Sequence, residues 1–204
     1  MSLDLHVVLF EPEIPQNTGN IARTCACTGA TLHLVEPMGF RATQRNLARA
    51  GLDYWDKVRI VRHASVEQFL EQHADKNLYF FTGKANHNYC DVSYEGEVYL
   101  IFGRESRGID EDVLEAYQDN CVRIPMREGL RSLNLSNAAA IGMFEALRQN
   151  NFAGLSDVGE GLHADASGIA QVTKTAGATT GAVLGTPTDS ELAAHALHVQ
   201  GSSE

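Results

Sequence analysis

Short apolar runs alternate with helix-forming segments along the first 150 residues of this 204-residue chain. Six runs are predicted to be strands, at 5–10, 31–35, 57–61, 78–82, 98–102 and 121–124. Helices are predicted between and after them, at 18–28, 43–50, 66–73, 111–117 and 134–150. Strands that alternate with helices at this spacing form a mostly parallel sheet with helices on both faces. The pattern therefore predicts an α/β fold.

Polar loops follow several of the predicted strands. They come after Phe10, Phe81, Phe102 and Ile124. In a parallel α/β sheet, ligands bind outside the carboxyl ends of the strands. We therefore expect these loops to converge on one edge of the sheet and to form a binding site there.

The loop after the last predicted strand is the richest in polar side chains. Residues 131–137 read Arg-Ser-Leu-Asn-Leu-Ser-Asn, and a run of strong helix formers follows. Ser132, Asn134 and Ser136 are residue types that cap helix N-termini, where unpaired N–H groups are available to a polar ligand. A capped helix alone explains one such residue, and the run of them indicates a site.

The composition argues against a membrane protein, a secreted protein and a metal-binding protein. No apolar run approaches the ~18–20 residues of a membrane span, and the N-terminal residues do not have the pattern of a signal peptide, so we expect a cytoplasmic protein without a membrane segment. The four cysteines are scattered, and the eight histidines include no HxxxH or HxH pattern. We therefore expect neither a disulfide framework nor a metal site.

The charge balance and the amino-acid composition of the chain change near residue 155. The net charge is −10, and residues 151–204 contribute six acidic residues against one lysine. Residues 156–204 are rich in Gly, Ala, Ser and Thr and contain no aromatic residue, which is typical of a disordered tail. The sequence predicts one folded domain at 1–155 and a low-complexity tail at 156–204.

Most of the basic residues are arginines, the side chain that suits phosphate recognition. Arg41, Arg45 and Arg49 recur every four residues, which aligns them along one face of a helix. Both a solvated helix face and a nucleic-acid contact explain this spacing, so both interpretations stand.

Two further loops carry the residues of a polar site. Asn17 and Asn20 lie at the start of a predicted helix, with Arg23 one turn further in and on the same face as Asn20. The loop 103–108 holds charged residues between two glycines, which permit tight backbone paths. This loop has neither a Walker A nor a GxGxxG pattern, so phosphate binding by those routes is not predicted.

Together the three loops resemble the motifs of the SpoU-type branch of the knotted (SPOUT) RNA methyltransferases. The likeness is greatest to the small, single-domain subfamily that methylates the ribose 2′-oxygen of the tRNA wobble nucleotide. It extends over about residues 5–155 and rests on four segments: Glu11–Arg23, Val35–Phe40, Arg49–Tyr54 and Arg131–Asn137. Arg104 stands where the family pattern has Pro.

The resemblance implies a deep trefoil knot toward the C-terminal end of the domain. It implies that S-adenosylmethionine binds in a bent conformation between the second and third loops. The implied enzyme is a homodimer in which the partner completes each active site. Its implied reaction moves a methyl group from S-adenosylmethionine to the 2′-OH of nucleotide 34, a cytidine or modified uridine, in the anticodon loop of tRNA.

The resemblance also assigns residues to roles. It places the cofactor among nine residues, whose apolar members could line a slot for adenine: Phe81, Thr82, Gly83, Gly103, Glu105, Ile124, Met126, Ser132 and Leu133. It makes Arg23 the central catalytic residue. It gives the positioning of Arg23 or the ribose to four polar residues: Asn17, Glu105, Ser132 and Asn134.

A guanidinium keeps its proton in proteins. We therefore expect Arg23 to orient the ribose and its phosphate and to stabilise alkoxide charge, instead of acting as a base. The structural alternative is that Arg23 forms a salt bridge with Glu105. Contacts to the tRNA phosphates are expected from five basic residues: Arg41, Arg45, Arg49, Lys84 and Arg127.

Other interpretations remain open at this point. The carboxylates of Glu11, Glu13 and Glu36 are interpreted as parts of loops, because no nucleophile or metal pattern accompanies them. Within the same superfamily, the target could be another nucleotide of tRNA or rRNA. Outside enzymes of this type, the chain could be a knotted RNA-binding protein without turnover, or a nucleotide-binding α/β protein of flavodoxin type.

Overall fold

The computed structural model describes residues 3–40 and 57–156. It contains seven strands: β1 Asp4–Phe10, β2 Thr31–Val35, β3 Ile60–His63, β4 Asn77–Phe81, β5 His87–Asn88, β6 Glu97–Phe102 and β7 Cys121–Arg123. Four α-helices are described: α1 Pro15–Thr28, α2 Val66–Gln72, α3 Glu111–Ala116 and α4 Leu135–Gln149. A 3₁₀ turn at Gln118–Asn120 precedes β7.

The strands form one sheet in the order β3-β2-β1-β6-β4-β7-β5, and every described pair of strands is parallel. The first three strands fill one side of the sheet, and the chain then crosses to β4 and β5 on the other side. It returns to the centre as β6, which lies between β1 and β4. Parallel strands need such crossovers, and their carboxyl ends meet at one edge. The predicted parallel α/β fold is confirmed.

Helices cover both faces of the sheet because successive side chains of a strand point to opposite sides. On one face, α1 and α4 pack on the sheet through buried residues such as Leu9, Ile21, Leu100 and Met143. On the other face, α2 and α3 contribute apolar side chains to a second cluster that includes Phe10, Phe69, Phe80 and Ile101. The strands therefore read as continuous apolar runs, as expected for a sheet buried on both sides.

Helix α1 begins earlier than predicted, at Pro15 instead of about residue 18. Proline is suited to the first helical turn, because its missing N–H would have no partner there. The helix ends at Thr28 as predicted, and Gly29 follows in the left-handed region with φ 78°, where glycine meets no Cβ penalty. Helix α4 begins after Asn134, whose side chain accepts a hydrogen bond from Ser136 N.

Two strand predictions need correction. The predicted strand 57–61 is observed at Ile60–His63, because Val58 packs into the core before the strand begins. Strand β5 was not predicted, since two polar residues carry no periodicity, and only its pairing with β7 defines it.

Several predictions concern residues that the structure does not describe. The helix predicted at 43–50, with Arg41, Arg45 and Arg49, lies in the gap between residues 40 and 57. The predicted tail lies outside the described residues from 157 onward, so its disorder stays a prediction. Within the described ranges, no helix has both the length and the apolar character needed to cross a membrane.

Candidate functional site

The polar loops meet above the carboxyl ends of β4, β6 and β7, where they enclose a cavity of about 850 Å³. Its walls come from the segments 81–84, 102–109 and 123–135, with a contribution from the first turn of α1. The predicted convergence of the strand-end loops is therefore observed for the loops after β1, β4, β6 and β7.

Glu105 ties the second loop to the start of α1. Its carboxylate accepts hydrogen bonds from the backbone N–H groups of Glu13 and Ile14, at 2.8 and 3.3 Å. It also accepts one from Asn17 Nδ2 at 3.0 Å. The helix has no capping side chain of its own at Ile14. Glu105 thus fixes the two residues just before the first helical residue, Pro15, and its negative charge suits the positive end of the helix dipole.

A chain of side-chain amides joins this point to the third loop. Asn134 Nδ2 donates to Asn17 Oδ1 at 3.0 Å, and Asn134 Oδ1 accepts from the Ser136 backbone and hydroxyl groups. The orientation of each amide is determined, because a carboxylate lies at one end of the chain and backbone N–H donors lie at the other. One hydrogen-bonded chain therefore links all three motif loops.

The second loop turns back sharply on itself. The backbone groups of Arg104 and Gly108 bond each other in both directions, at 3.1 and 2.8 Å. A Cβ placed on Gly103 would lie 2.2 Å from the carbonyl carbon of Gly108, which no side chain can tolerate. The glycine predicted here for close backbone approach is thus required by the loop itself.

Apolar side chains form the inner wall of the cavity. Phe81 stacks on Phe102 with 4.7 Å between ring centroids, and its ring fills the space beside Gly142 of α4. Further apolar surface comes from the segment after β7: Ile124, Met126, Leu130, Leu133 and Leu135. Leu133 is 39% exposed, so it presents hydrocarbon to whatever occupies the cavity.

The rim of the cavity is rich in positive charge: Lys84, Arg107, Arg123, Arg127 and Arg131. Lys84 is ion-paired with the exposed Glu111, and this bond lowers the pKa of the Glu111 carboxyl group. The buried Nε of Arg123 has no hydrogen-bond partner within the described ranges. A cavity with an apolar floor and a cationic rim suits a ligand that combines an aromatic base with negative groups.

The cavity gathers most of the residues that the sequence singled out. All nine predicted cofactor residues line it: Phe81, Thr82, Gly83, Gly103, Glu105, Ile124, Met126, Ser132 and Leu133. Four of the five predicted catalytic residues line it as well: Asn17, Glu105, Ser132 and Asn134. Of the predicted tRNA contacts, Lys84 and Arg127 lie on its rim, and the other three fall outside the described residues.

Arg23 differs from the other predicted catalytic residues. It lies on α1 with an exposed side chain and does not line the cavity of its own chain. The Glu105 carboxylate is hydrogen-bonded to Glu13, Ile14 and Asn17.

Contacts between the first and second loops were not foreseen. Ser106 donates to the Glu13 carboxylate through its backbone N–H at 2.9 Å and its hydroxyl at 2.8 Å, and these bonds lower the pKa of Glu13. Arg104 forms ion pairs with Glu11 and with Asp110. The sequence interpretation of Glu11 and Glu13 as loop residues omitted these partners, which lie more than 90 positions away along the chain.

No group of three or more histidine, cysteine or acidic side chains in the described part of the chain is arranged to hold a metal ion. The polar groups that line the cavity are amides, hydroxyl groups, arginines and the carboxylates of Glu105 and Glu128.

A cavity of this lining at the carboxyl edge of a parallel sheet is the usual place and kind of site at which α/β proteins bind small ligands. The SpoU rRNA Methylase family matches residues 4–144, and the chain belongs to that family.

Named relatives share nearly their full length with the chain. A tRNA (cytidine(34)-2′-O)-methyltransferase of Saccharophagus degradans is 48% identical over 150 residues, which cover 73% of this chain and 97% of the relative. The enzyme of the same name from Escherichia coli is 45% identical over 151 residues, covering 74% and 96%.

Solved structures agree with this family. One that concerns the 2-OH methylation of C/U34 on tRNA is 41% identical, has a TM-score of 0.69, and is matched over 73% of this chain and 97% of that one. An AdoMet-bound rRNA methyltransferase from Sinorhizobium meliloti is 26% identical, with a TM-score of 0.65, and is matched over 72% and 57%.

Proposed function

We propose that this protein transfers a methyl group from S-adenosylmethionine to the ribose 2′-OH of nucleotide 34 of tRNA. The observation that carries the proposal is the chain of bonds from Glu105 through Asn17 to Asn134, which joins the three motif loops of a SpoU-family chain over one cavity. The relatives named above, which share 45–48% of their residues with it, supply the choice of nucleotide.

The cavity has the size and lining that S-adenosylmethionine needs. Its volume of about 850 Å³ is within the usual range of small-molecule sites. Ile124, Met126 and Leu133 offer an apolar slot for adenine. When bound there, the donor supplies an activated methyl group on a positively charged sulfur.

We propose the trefoil knot of this family for the same region. The packing between the loop after β4 and the loop before α4 supports it, since a Cβ on Gly83 would lie 4.0 Å from the Arg131 carbonyl oxygen.

The proposed enzyme is a homodimer in which Arg23 acts on the partner's cavity. Its exposed position on α1, away from the cavity of its own chain, supports this arrangement. There Arg23 orients the acceptor ribose and its phosphate through its fork of N–H donors and stabilises the developing alkoxide. Since guanidinium does not give up its proton, the proton of the ribose passes to another acceptor.

The tRNA is held mainly by phosphate contacts from arginine and lysine side chains. Arg127 is exposed on the cavity rim, and Lys84, Arg41, Arg45 and Arg49 are proposed as further tRNA contacts. Phosphate contacts provide affinity that falls with salt and carry little sequence information.

The test is incubation with labelled S-adenosylmethionine and bulk tRNA, followed by mapping of the methylated nucleoside. We expect label at the 2′-oxygen of position 34 and none in a tRNA whose nucleotide 34 is a 2′-deoxynucleotide. Label that persists in the deoxy substrate would assign the enzyme to another nucleotide. The absence of transfer to any tRNA or rRNA would indicate an RNA-binding protein without turnover.

A further inference from the structure

Arg104 occupies an unusual place for a charged residue in the second loop. Its side chain is only 12% exposed, and its two terminal nitrogens reach different carboxylates, one on Glu11 and one on Asp110. The Glu11 carboxylate is itself 20% exposed. A guanidinium with two acceptors in such a shielded position is held in one orientation.

The backbone around Arg104 fixes the base of this side chain. The paired bonds between Arg104 and Gly108, and the close approach of Gly103 to Gly108, close the loop without using any side chain. The shape of the loop therefore does not depend on the guanidinium. The guanidinium instead connects the loop to Glu11, before α1, and to Asp110, before α3.

The connection to Glu11 reaches the link between β1 and α1. Glu11 is in the left-handed region, with φ 49°, although it is not a glycine. Its backbone N–H donates to Val35 O at 3.0 Å. Strained conformations of this kind persist where surrounding contacts hold them, and they concentrate at functional sites. The ion pair to Arg104 is one of the contacts that hold Glu11.

We propose that Arg104 is a positioning residue, which sets the place of α1 relative to the donor-binding loop. This inference rests on the proposed function. In that function the donor contacts the segment 103–108, whereas Asn17, which lines the same cavity, is carried by α1. The ion pair between Arg104 and Glu11 joins these two parts, and both of its side chains are largely shielded from solvent. Arg104 thereby determines where Asn17 stands beside the donor.

Two other contacts join the same loops, so the ion pair is not all that holds α1 in place. Ser106 bonds Glu13 near the surface, and Glu105 binds the backbone N–H groups of the two residues before α1. Loss of Arg104 is therefore expected to loosen the first turn of α1 and to leave it folded. The donor loop keeps its shape through its own backbone bonds.

A positioning role predicts that loss of Arg104 lowers the turnover number but leaves the cofactor affinity unchanged. In Arg104→Met, the turnover number for tRNA methylation should fall about tenfold to a hundredfold, since a misplacement of about 1 Å has effects of this size. The dissociation constant for S-adenosylhomocysteine, measured by calorimetry, should stay within about threefold. Amide hydrogen exchange should quicken in residues 13–18 and stay unchanged in 103–108.

The matched control is Lys76→Met. Lys76 also forms an ion pair, with Glu97. It lies just before β4, at the amino ends of the strands and therefore on the side of the sheet opposite to the cavity. Turnover and cofactor affinity should both be unchanged in this variant. Glu11→Gln should reproduce the defect of Arg104→Met, and the double variant should be no worse than either single one. Arg104→Lys, which keeps the charge and loses the fork, should be intermediate.

Three outcomes would overturn the inference. One is normal turnover in a folded Arg104→Met protein. Another is a parallel loss of turnover and cofactor affinity, which would indicate general damage to the loop. The third is additive defects in Glu11→Gln and Arg104→Met. If Arg104→Met does not fold, Arg104→Lys and Glu11→Gln decide the question by the same measurements. A wild-type protein that methylates no RNA would reject the proposed function instead.

Discussion

Asn134 donates a hydrogen bond from Nδ2 to Asn17 Oδ1 at 3.0 Å, across 117 positions of the chain. This bond connects the start of α4 with the start of α1. Both asparagines have a second task, because Asn17 donates to Glu105 and Asn134 caps α4. The site and the helix ends are therefore stabilised by the same side chains.

The two tasks of Asn134 can be separated by mutation. Asn134→Asp keeps a carboxylate cap on α4 but removes the donor to Asn17, so turnover should fall about tenfold or more while stability changes little. Asn134→Ala removes both, and it should also lower the free energy of unfolding by about 1 kcal/mol. Steady-state kinetics and urea unfolding of the two variants measure the difference. Equal stability of both would show that the cap contributes nothing.

Gly103→Ala should abolish cofactor binding. The added methyl group would lie 2.2 Å from Gly108, so the loop 103–108 would have to open. We expect the affinity for S-adenosylhomocysteine, measured by calorimetry, to fall by more than tenfold, a loss of over about 1.4 kcal/mol.

Gly96→Ala is the matched control for Gly103→Ala. Gly96 has φ +70° with no atom within 4 Å of the added Cβ, so the cost should be backbone strain alone, about 1–2 kcal/mol. Cofactor affinity should remain normal there. Unchanged affinity in Gly103→Ala would contradict the account of the loop.

Buried histidines should make the protein sensitive to acid. His6, His33 and His63 lie diagonally across three strands, with N···N distances of 2.8 and 2.9 Å. Burial, followed by the neighbouring histidines, lowers the pKa of His33 to about 3, and burial also lowers the pKa of His6 and of His63. The unfolded chain takes up these protons near pH 6.5, whereas the folded chain resists them.

The free energy of unfolding should therefore decrease as the pH falls from about 6.5 toward 3, by at most about 1.4 kcal/mol per pH unit for each histidine. Urea unfolding between pH 7.5 and 4.5 measures this slope. His33→Leu should flatten it, while His87→Gln, at an exposed histidine, should leave it unchanged. An identical slope in His33→Leu would exclude His33 as a source. Asp4 and Glu97, which face His6, oppose the decrease.

Arg23 should act across the dimer. Arg23→Lys keeps the charge and loses the fork, so near-normal turnover in this variant would contradict an orienting role. Arg23→Ala and Asn134→Ala should each be nearly inactive alone. After the two proteins are unfolded together and refolded at equal amounts, about a quarter of wild-type activity should return, because each mixed dimer has one intact site. No recovery would show that one chain supplies both Arg23 and Asn134 to each site.

Arg127 should contribute to tRNA binding through its charge. Arg127→Gln should raise the KM for tRNA and reduce the salt dependence of binding by about one unit of slope. Cofactor affinity should not change. Lys76→Gln removes the same charge at the opposite edge of the sheet and should have no effect on tRNA. Equal effects of the two substitutions would indicate that only the net charge matters. Charge reversal at Arg45 should raise the KM in the same way.

Sequence patterns predicted the parts of the fold that depend on local chemistry. The buried strands were visible because a sheet covered on both faces needs continuous apolar runs, and Gly29 and Asn134 marked helix ends by their backbone and capping preferences. The convergence of the loops followed from parallel strands alone. Which residues lie in the cavity followed from motifs that resemble a known family.

Pairings between distant segments were not visible in the sequence. Strand β5 exists only through its partner β7, and the order of strands around β6 depends on crossovers that carry no local signal. The ion pair between Arg104 and Glu11 joins residues 93 positions apart. The histidines of β1, β2 and β3 come together through strand register, with His33 opposite Val8 and His63 opposite Val35.

The position of Glu105 has a further consequence for how this protein can vary. One carboxylate both secures the beginning of a helix and forms part of the wall around the ligand. Aspartate there would be one methylene too short to span both duties, and glutamine would offer an N–H where three donors already point. Substitution of Glu105 should therefore impair the start of α1 and the lining of the cavity together.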